Sequence, residues 1–148
     1  MFRRTSITLA AAALLAACSP AKDAEPMPEA APPAPSLADF AGTWTSSATL
    51  EGVAAPVPST MTLTADGMNS TMSLDQRPNI ALTVSMSGDS VVAVTAEYES
   101  VLRKGVMVTT RTASVLKDGK MMGNVIATYR TPNGPEVVMG TIEGTRAP

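Results

Sequence analysis

The chain has 148 residues, a formal net charge of −2, a single cysteine and no histidine. Because histidine is the commonest general base and metal ligand near neutral pH, its absence excludes serine–histidine and cysteine–histidine catalysis. The nearly balanced charge offers no basic patch for nucleic acid, and one cysteine cannot form an intrachain disulfide. We therefore expect a protein that is not an enzyme, holds no cofactor or metal, binds no nucleic acid and folds by burying apolar side chains.

The N-terminal residues follow the plan of a secretory signal peptide. Arg3 and Arg4 form a short positive segment, and residues 5–17 are uncharged and rich in alanine and leucine. This order of charge and then apolar residues is typical of signal peptides. A membrane-spanning helix needs about 20 apolar residues, and this run is shorter. We predict a signal peptide over residues 1–17.

The sequence Leu-Ala-Ala-Cys at residues 15–18 resembles the lipobox of bacterial lipoproteins. The resemblance implies cleavage before Cys18 and attachment of acyl chains such as palmitate to that cysteine. Two chains make a stable anchor, whereas one binds membranes only marginally. The resemblance also implies sorting to the periplasmic face of the outer membrane, because Ser19 replaces the aspartate that tends to retain lipoproteins at the inner membrane. Ordinary cleavage, which would leave Cys18 as a free thiol, is the alternative.

A segment rich in proline and alanine follows the cysteine. Residues 19–36 contain six prolines and five alanines. Proline removes a backbone donor and fixes φ, so this composition favours an extended spacer with a reach of roughly 55 Å. We predict a tether over residues 18–36 and one domain over residues 37–148, which is long enough for a hydrophobic core.

Alternating apolar residues, at the two-residue period of a half-buried strand, recur through this domain. They are clearest in residues 80–86, 92–98 and 125–129, and Asp-Gly pairs stand at residues 66–67 and 118–119. Such pairs supply the positive φ angles of tight hairpin turns. We predict eight strands, near residues 42–50, 58–65, 68–75, 79–87, 90–99, 105–117, 120–130 and 136–146.

Eight sequential strands predict an all-β antiparallel meander. Such a meander can close into a small barrel, which removes the strand edges that recruit other chains. A two-sheet sandwich is the alternative. One tryptophan, two tyrosines and two phenylalanines in the whole chain are too few for the aromatic girdles of a membrane-spanning barrel. We therefore expect a soluble barrel held to the membrane by its lipid.

Residues Gly42, Thr43 and Trp44 resemble the Gly-x-Trp signature that opens lipocalin-like barrels. In such barrels the tryptophan closes one end and a basic residue near the C-terminus lies across it. The resemblance implies structural roles for Gly42, Trp44 and Arg146, and a distance of about 6 Å or less from the indole ring to the guanidinium. It also implies a lumen that can bind a small molecule.

An eight-stranded barrel is just wide enough to be filled by its own side chains or to hold one small ligand. The leading hypothesis is a small apolar ligand, and a void of several hundred Å³ would support it. A filled barrel that serves as a protein-interaction or structural module of the envelope is the competing hypothesis; the sequence does not identify a protein partner. The predicted ligand-lining residues are Met61, Leu63, Leu82, Val84, Met86, Val92, Val94, Val125 and Tyr129.

Two lesser hypotheses concern carboxylates and methionines. Glu97 and Glu99 stand two residues apart on one predicted strand, as a general acid and base could. Their alternation with the apolar residues of that strand favours exposure to water instead. Eight methionines in the domain could bind Cu(I) through their thioethers. Met61 and Met86 fall on apolar strand faces, which favours filling of the core.

Overall fold

The computed structural model describes residues 31–148. The predicted signal peptide, Cys18 and most of the tether lie outside the described residues, so these assignments stay predictions. Residues 31–36 have no regular secondary structure and lead into a short helix, α1 (Leu37–Phe40). Within residues 31–148, no helix has the length and apolar character needed to cross a membrane.

Nine antiparallel strands follow α1, and hydrogen bonds join each strand to its neighbours. The pairs β1–β9 and β5–β7 close the sheet on itself, and the short β6 extends it beside β7. The all-β fold and the closed eight-strand meander are thus confirmed, and the sandwich alternative is wrong. The strands are β1 (Gly42–Leu50), β2 (Val57–Leu63), β3 (Ser70–Ser73), β4 (Ile80–Ser87), β5 (Ser90–Thr95), β6 (Tyr98–Glu99), β7 (Met107–Lys117), β8 (Lys120–Thr131) and β9 (Gly134–Arg146).

A break divides the strand predicted over residues 90–99 into β5 and β6. Val94 lies opposite Arg111 of β7, and β6 resumes the pairing with Tyr98 opposite Val108. Three residues separate Val94 from Tyr98, but only two separate Val108 from Arg111. The extra residue acts as a β-bulge and reverses which alternate side chains point inward.

One end of the barrel is closed by Trp44 and by α1. Trp44 and Phe40 are fully buried, and the indole N–H of Trp44 donates a 2.8 Å hydrogen bond to the carbonyl oxygen of Phe40. At the start of α1, the backbone N–H and the hydroxyl of Ser36 donate to the Asp39 carboxylate. These bonds hold the pKa of Asp39 below its usual value. The helix therefore acts as a plug, fixed by its own cap and by the indole.

Arg146 covers this end, as the sequence predicts. Trp44 lies directly opposite Arg146 in the β1–β9 pairing, and the guanidinium carbon is 4.5 Å from the centre of the indole ring. The same guanidinium donates to the carbonyl oxygens of Asp39, at 2.6 Å, and of Ala41. The predicted contact between Trp44 and Arg146 is confirmed, and it joins the last strand to the first.

Because Gly42 has no side chain, the guanidinium of Arg146 can lie beside it. Its φ is +128°, and a Cβ atom built there would lie 2.7 Å from the Nη1 atom of Arg146. A larger residue would therefore suffer backbone strain and would also displace the guanidinium. The glycine of the Gly-x-Trp signature thus has two physical reasons to be a glycine here.

Glycines also stand at inward-facing positions of β8 and β9. A Cβ atom at Gly123 would overlap the carbonyl oxygen of Ala113, and one at Gly140 would overlap that of Thr49. Interior glycines of this kind let neighbouring backbones approach closely where a sheet curves sharply. They let the β7–β8–β9–β1 side of the barrel close tightly.

We expect Gly42→Ala to lower the free energy of unfolding by about 2–4 kcal/mol, because it combines backbone strain with the clash against Arg146. Gly52→Ala is the matched control: Gly52 has a φ of +73° but no atom within 4 Å of its built Cβ. It should lose only about 1–2 kcal/mol, the cost of the left-handed conformation. Urea unfolding curves measure both changes, and equal losses would contradict the role assigned to Arg146.

Candidate functional site

An apolar cavity of about 50 Å³ lies inside the barrel. All nine strands contribute to its wall, towards the end where β1 ends and β7 begins. Trp44, Phe40 and Arg146 are not part of the lining. The apolar lining residues are Ala48, Leu50, Val57, Met61, Met72, Leu74, Leu82, Ala93, Val101, Leu102, Val108, Val125, Ala127 and Ile142.

Four of the predicted lining residues do line this cavity: Met61, Leu82, Val125 and Tyr129. Three others lie in the interior but outside the cavity. Leu63 is a buried core residue, and Val84 and Met86 are partly buried against the core. The residues predicted to face inward on β2, β4 and β8 therefore do face inward. The cavity occupies only part of the lumen.

Val92 and Val94 do not line the cavity, so this part of the prediction is wrong. Ala93 and Thr95 of the same strand line it instead, and Val94 is 37% exposed. Alternation without a break from Val92 to Tyr98 would put Val92 and Val94 on the inner face of the barrel together with Tyr98. The bulge between β5 and β6 shifts the alternation of inward and outward side chains by one residue. Tyr98 points inward as expected, but it follows the bulge.

The mouth of the barrel is covered by residues 100–106, which we call the lid. The Ser100 hydroxyl accepts hydrogen bonds from the backbone N–H groups of Leu102, at 3.0 Å, and Arg103, at 3.1 Å. The Glu99 carboxylate accepts another from the N–H of Gly105 at 2.9 Å. Val101 and Leu102 of the lid line the cavity while remaining 41% and 39% exposed. The lid is thus a turn held at its base, with apolar side chains over the cavity.

Arg103 fastens the lid to the neighbouring strands β8 and β9. Its two terminal nitrogens each lie 2.7 Å from a carboxylate oxygen of Glu136 on β9. Its guanidinium carbon lies 4.2 Å from the centre of the Tyr129 ring on β8. The hydrogen bonds from Arg103 lower the pKa of Glu136 and raise the pKa of Arg103. Both groups are therefore charged at neutral pH, and the pair is intact there.

Sequence reasoning missed the lid and its ion pair. Val101 and Leu102 stand just before the turn at residues 104–105, where two adjacent apolar side chains are unusual, and that was the available signal. The partner of Arg103 could not be found in this way, because Glu136 is 33 residues away along the chain.

The polar atoms of the cavity wall are mostly engaged within the barrel. Thr95 Oγ1 accepts the backbone N–H of Thr110 at 2.8 Å, and Thr112 Oγ1 donates to the carbonyl oxygen of Ala93. Burial raises the pKa of Tyr98, so that side chain is neutral at physiological pH. Within the part of the chain that the structure describes, no aspartate, glutamate, lysine or arginine lines the cavity. The site is therefore an uncharged, apolar pocket in which the hydroxyls of Thr95 and Thr112 already have partners.

The two glutamates proposed as an acid–base pair lie outside the cavity. Glu97 and Glu99 are both exposed, as the alternation favoured. Glu97 forms an ion pair of 2.6 Å with Arg130, and Glu99 holds the lid turn through Gly105. Each carboxylate thus has a structural partner on the outside of the barrel.

The methionines divide into buried and exposed members. Met61 and Met72 lie opposite each other across β2 and β3, and both line the cavity. Met121 is buried in the core, whereas Met68 and Met139 are exposed. Among residues 31–148, no three side chains of histidine, cysteine, aspartate or glutamate come together as a metal site could require. Packing of the lumen is the role that the positions of Met61, Met72 and Met121 favour.

A second candidate surface lies on the outside of β7, β8 and β9. Val115 lies opposite Met122, and Ile126 lies opposite Met139. Val115, Met122 and Met139 are exposed, so apolar side chains meet water across three adjacent strands. This outer face resembles the kind of apolar surface through which proteins associate.

No protein-family model matches the chain, and a search of curated proteins finds none that is similar to it. What the structure shows is a small closed antiparallel barrel, and this architecture is compatible with a lipocalin-like fold.

Proposed function

We propose that this protein is a lipid-anchored, non-enzymatic component of the bacterial envelope whose barrel binds a small, uncharged, apolar molecule at its mouth. One observation carries the binding proposal: the lumen keeps an apolar cavity under a lid made of a turn, while the opposite end is filled by Trp44 and Phe40. The two ends are built differently: a turn covers the mouth, whereas the fully buried Trp44 of β1 and Phe40 of α1 fill the other end.

The volume of the cavity limits what can bind. Pockets for drug-sized ligands have about 300–1,000 Å³, and this cavity has about 50 Å³. A guest therefore has to be slender, or has to displace the lid and the methionine side chains. Met61 and Met72 can move aside for a guest, because an unbranched thioether changes rotamer readily. Val101 and Leu102 would move with the lid.

The anchoring proposal rests on the sequence. The Leu-Ala-Ala-Cys segment at residues 15–18 and the proline-rich spacer that follows it support attachment through acylated Cys18. Ser19 supports location at the periplasmic face of the outer membrane. In this proposal Cys18 alone binds the membrane, and the spacer lets the barrel stand clear of it.

Cys18→Ser should release the protein from the membrane, because no acyl chain could then be attached. Fractionation of the host envelope and immunodetection measure the change, and the protein should move to the soluble periplasmic fraction. Ser19→Asp is the matched control, since it keeps the cysteine and should keep the protein membrane-bound while shifting it to the inner membrane. Retention of the Cys18→Ser protein in the membrane fraction would contradict the anchor.

Filling the cavity should weaken binding of an apolar probe. Ala93 is buried and lines the cavity, whereas Ala81 is exposed on the neighbouring strand β4. We expect Ala93→Val to weaken binding of the neutral fluorophore N-phenyl-1-naphthylamine about tenfold, because the two added methyl groups occupy the void. Ala81→Val should leave binding unchanged. Fluorescence titration of both proteins in the Cys18→Ser background tests this, with thermal unfolding to check that each is folded.

The small volume of the cavity favours a second candidate, a filled barrel that acts through its outer face. The apolar side chains on β7, β8 and β9 are the observation in its favour. Native mass spectrometry of protein extracted gently from its own membrane separates the two. A retained small molecule supports ligand binding, whereas a retained protein that is lost on Met139→Thr supports the outer face.

A further inference from the structure

We infer that Glu136 sets the specificity of the mouth: by occupying Arg103, it makes the site reject ionised carboxylates and accept uncharged molecules of the same shape. This inference rests on the proposed binding function and adds to it the chemical class of the ligand and the residue that selects it.

The first step concerns the cavity itself. Among residues 31–148, no charged side chain lines it, and the hydroxyls of Thr95 and Thr112 are engaged with backbone atoms. A carboxylate moved into such a pocket would lose its hydration and gain no counter-charge, which is strongly unfavourable. An ionised amphiphile could therefore bind only with its charged head at the rim.

The second step concerns the cation at that rim. Leu102 and Tyr129 line the cavity, and Arg103 follows Leu102 in the chain and lies 4.2 Å from the Tyr129 ring. A ligand whose apolar part lay against Leu102 and Tyr129 would bring its head group to Arg103. A guanidinium fork matches a carboxylate, and such bidentate pairs are among the strongest hydrogen bonds in proteins. Arg103 is thus placed to capture an anionic head.

The third step is that Glu136 already fills this position. Both terminal nitrogens of Arg103 bond to the Glu136 carboxylate at 2.7 Å. An incoming carboxylate would meet a cation whose charge is already paired, and a negative charge beside it. An alcohol of the same length meets neither penalty, because it carries no charge. Selectivity then comes from repulsion of the wrong ligand rather than from extra contacts to the right one.

Two other arginines near this end are engaged as well, and Lys104 of the lid is exposed and does not line the cavity. Arg130 pairs with Glu97 at 2.6 Å, and Arg77 donates to the carbonyl oxygen of Glu99 at 2.6 Å. Neither arginine lines the cavity. Arg103 is therefore the cation on which capture of an anion at the rim depends.

The test compares 1-dodecanol with dodecanoate at pH 8, where the acid is ionised, by displacement of N-phenyl-1-naphthylamine from the Cys18→Ser protein. The unaltered mouth should bind dodecanol at least tenfold more tightly than dodecanoate. Glu136→Gln keeps the shape of the side chain and removes its charge. It should tighten dodecanoate binding five- to tenfold more than it changes dodecanol binding, because the affinity for dodecanol reports only the loosening of the lid.

Two further variants control for the mechanism. Glu143 is exposed on the same strand and takes no part in the ion pairs of residues 31–148, so Glu143→Gln should alter neither affinity. Adding Arg103→Gln to Glu136→Gln should remove the gain for dodecanoate. The gain should also shrink in 1 M salt, because screening at an exposed site weakens the attraction to Arg103.

The outcomes separate this inference from the binding function on which it rests. Equal tightening of both ligands by Glu136→Gln would mean that Glu136 only restrains the lid, and would overturn the specificity role. Dodecanol binding without any effect of Glu136→Gln on dodecanoate would overturn that role while leaving the binding function intact. Failure of every variant to bind either ligand or the fluorophore would overturn the binding function, and the inference with it.

Discussion

Closure of the sheet through β1 and β9 is the constraint on which the rest of the structure depends. Seven residue pairs join the first strand to the last, from Trp44 opposite Arg146 to Leu50 opposite Gly140. This pairing leaves no free edge between the two strands and brings the C-terminal arginine over the tryptophan that plugs the lumen. Because Arg146 also bonds to carbonyl oxygens beside α1, one side chain ties the helix, the first strand and the last strand together.

The shape of the cavity follows from how the two ends of the lumen are filled. At the closed end, Trp44 and Phe40 occupy the interior fully. Towards the mouth, the inward positions carry small residues such as Ala48, Ala93 and Ala127, which leave space that no neighbour fills. The tight approach of the backbones at Gly123 and Gly140 narrows the barrel at the same time. A small void near the mouth is therefore a consequence of side-chain size, and enlarging it requires the lid to move.

The sequence predicted those parts of the fold that depend on local patterns. Alternating apolar residues and Asp-Gly turns identify the strands because both signals lie within a few neighbouring residues. At the turn of residues 118–119, for example, both φ angles are positive, as a tight hairpin requires. The contact between Trp44 and Arg146 was also predicted, but through a resemblance, since the two residues are distant in the chain.

Features that depend on a distant partner were not predicted. The bulge that turns Val92 and Val94 away from the cavity can be recognised only from the register of β5 and β6 against β7. The position of the lid over the mouth depends on Arg103 meeting Glu136. The apolar periodicity of one segment contains no information on strand register or on which distant residue an arginine contacts. The predicted inward-facing positions were accordingly correct on β2, β4 and β8, which run without interruption, and wrong at Val92 and Val94 on the strand that is interrupted.

Charged side chains are distributed differently on the cavity wall and on the outside of the barrel. The cavity wall is uncharged, while the ion pairs of Arg103 with Glu136 and of Arg130 with Glu97 lie on the outside. Residues 31–41 reach the barrel at the closed end, where Leu37 lies close to Gly67 in the turn between β2 and β3. The short helix α1 therefore lies at the end opposite the lid. A molecule that reached the mouth would meet the lid, its ion pair and the apolar side chains beneath them, and under the proposed binding function these groups would decide what the barrel can hold.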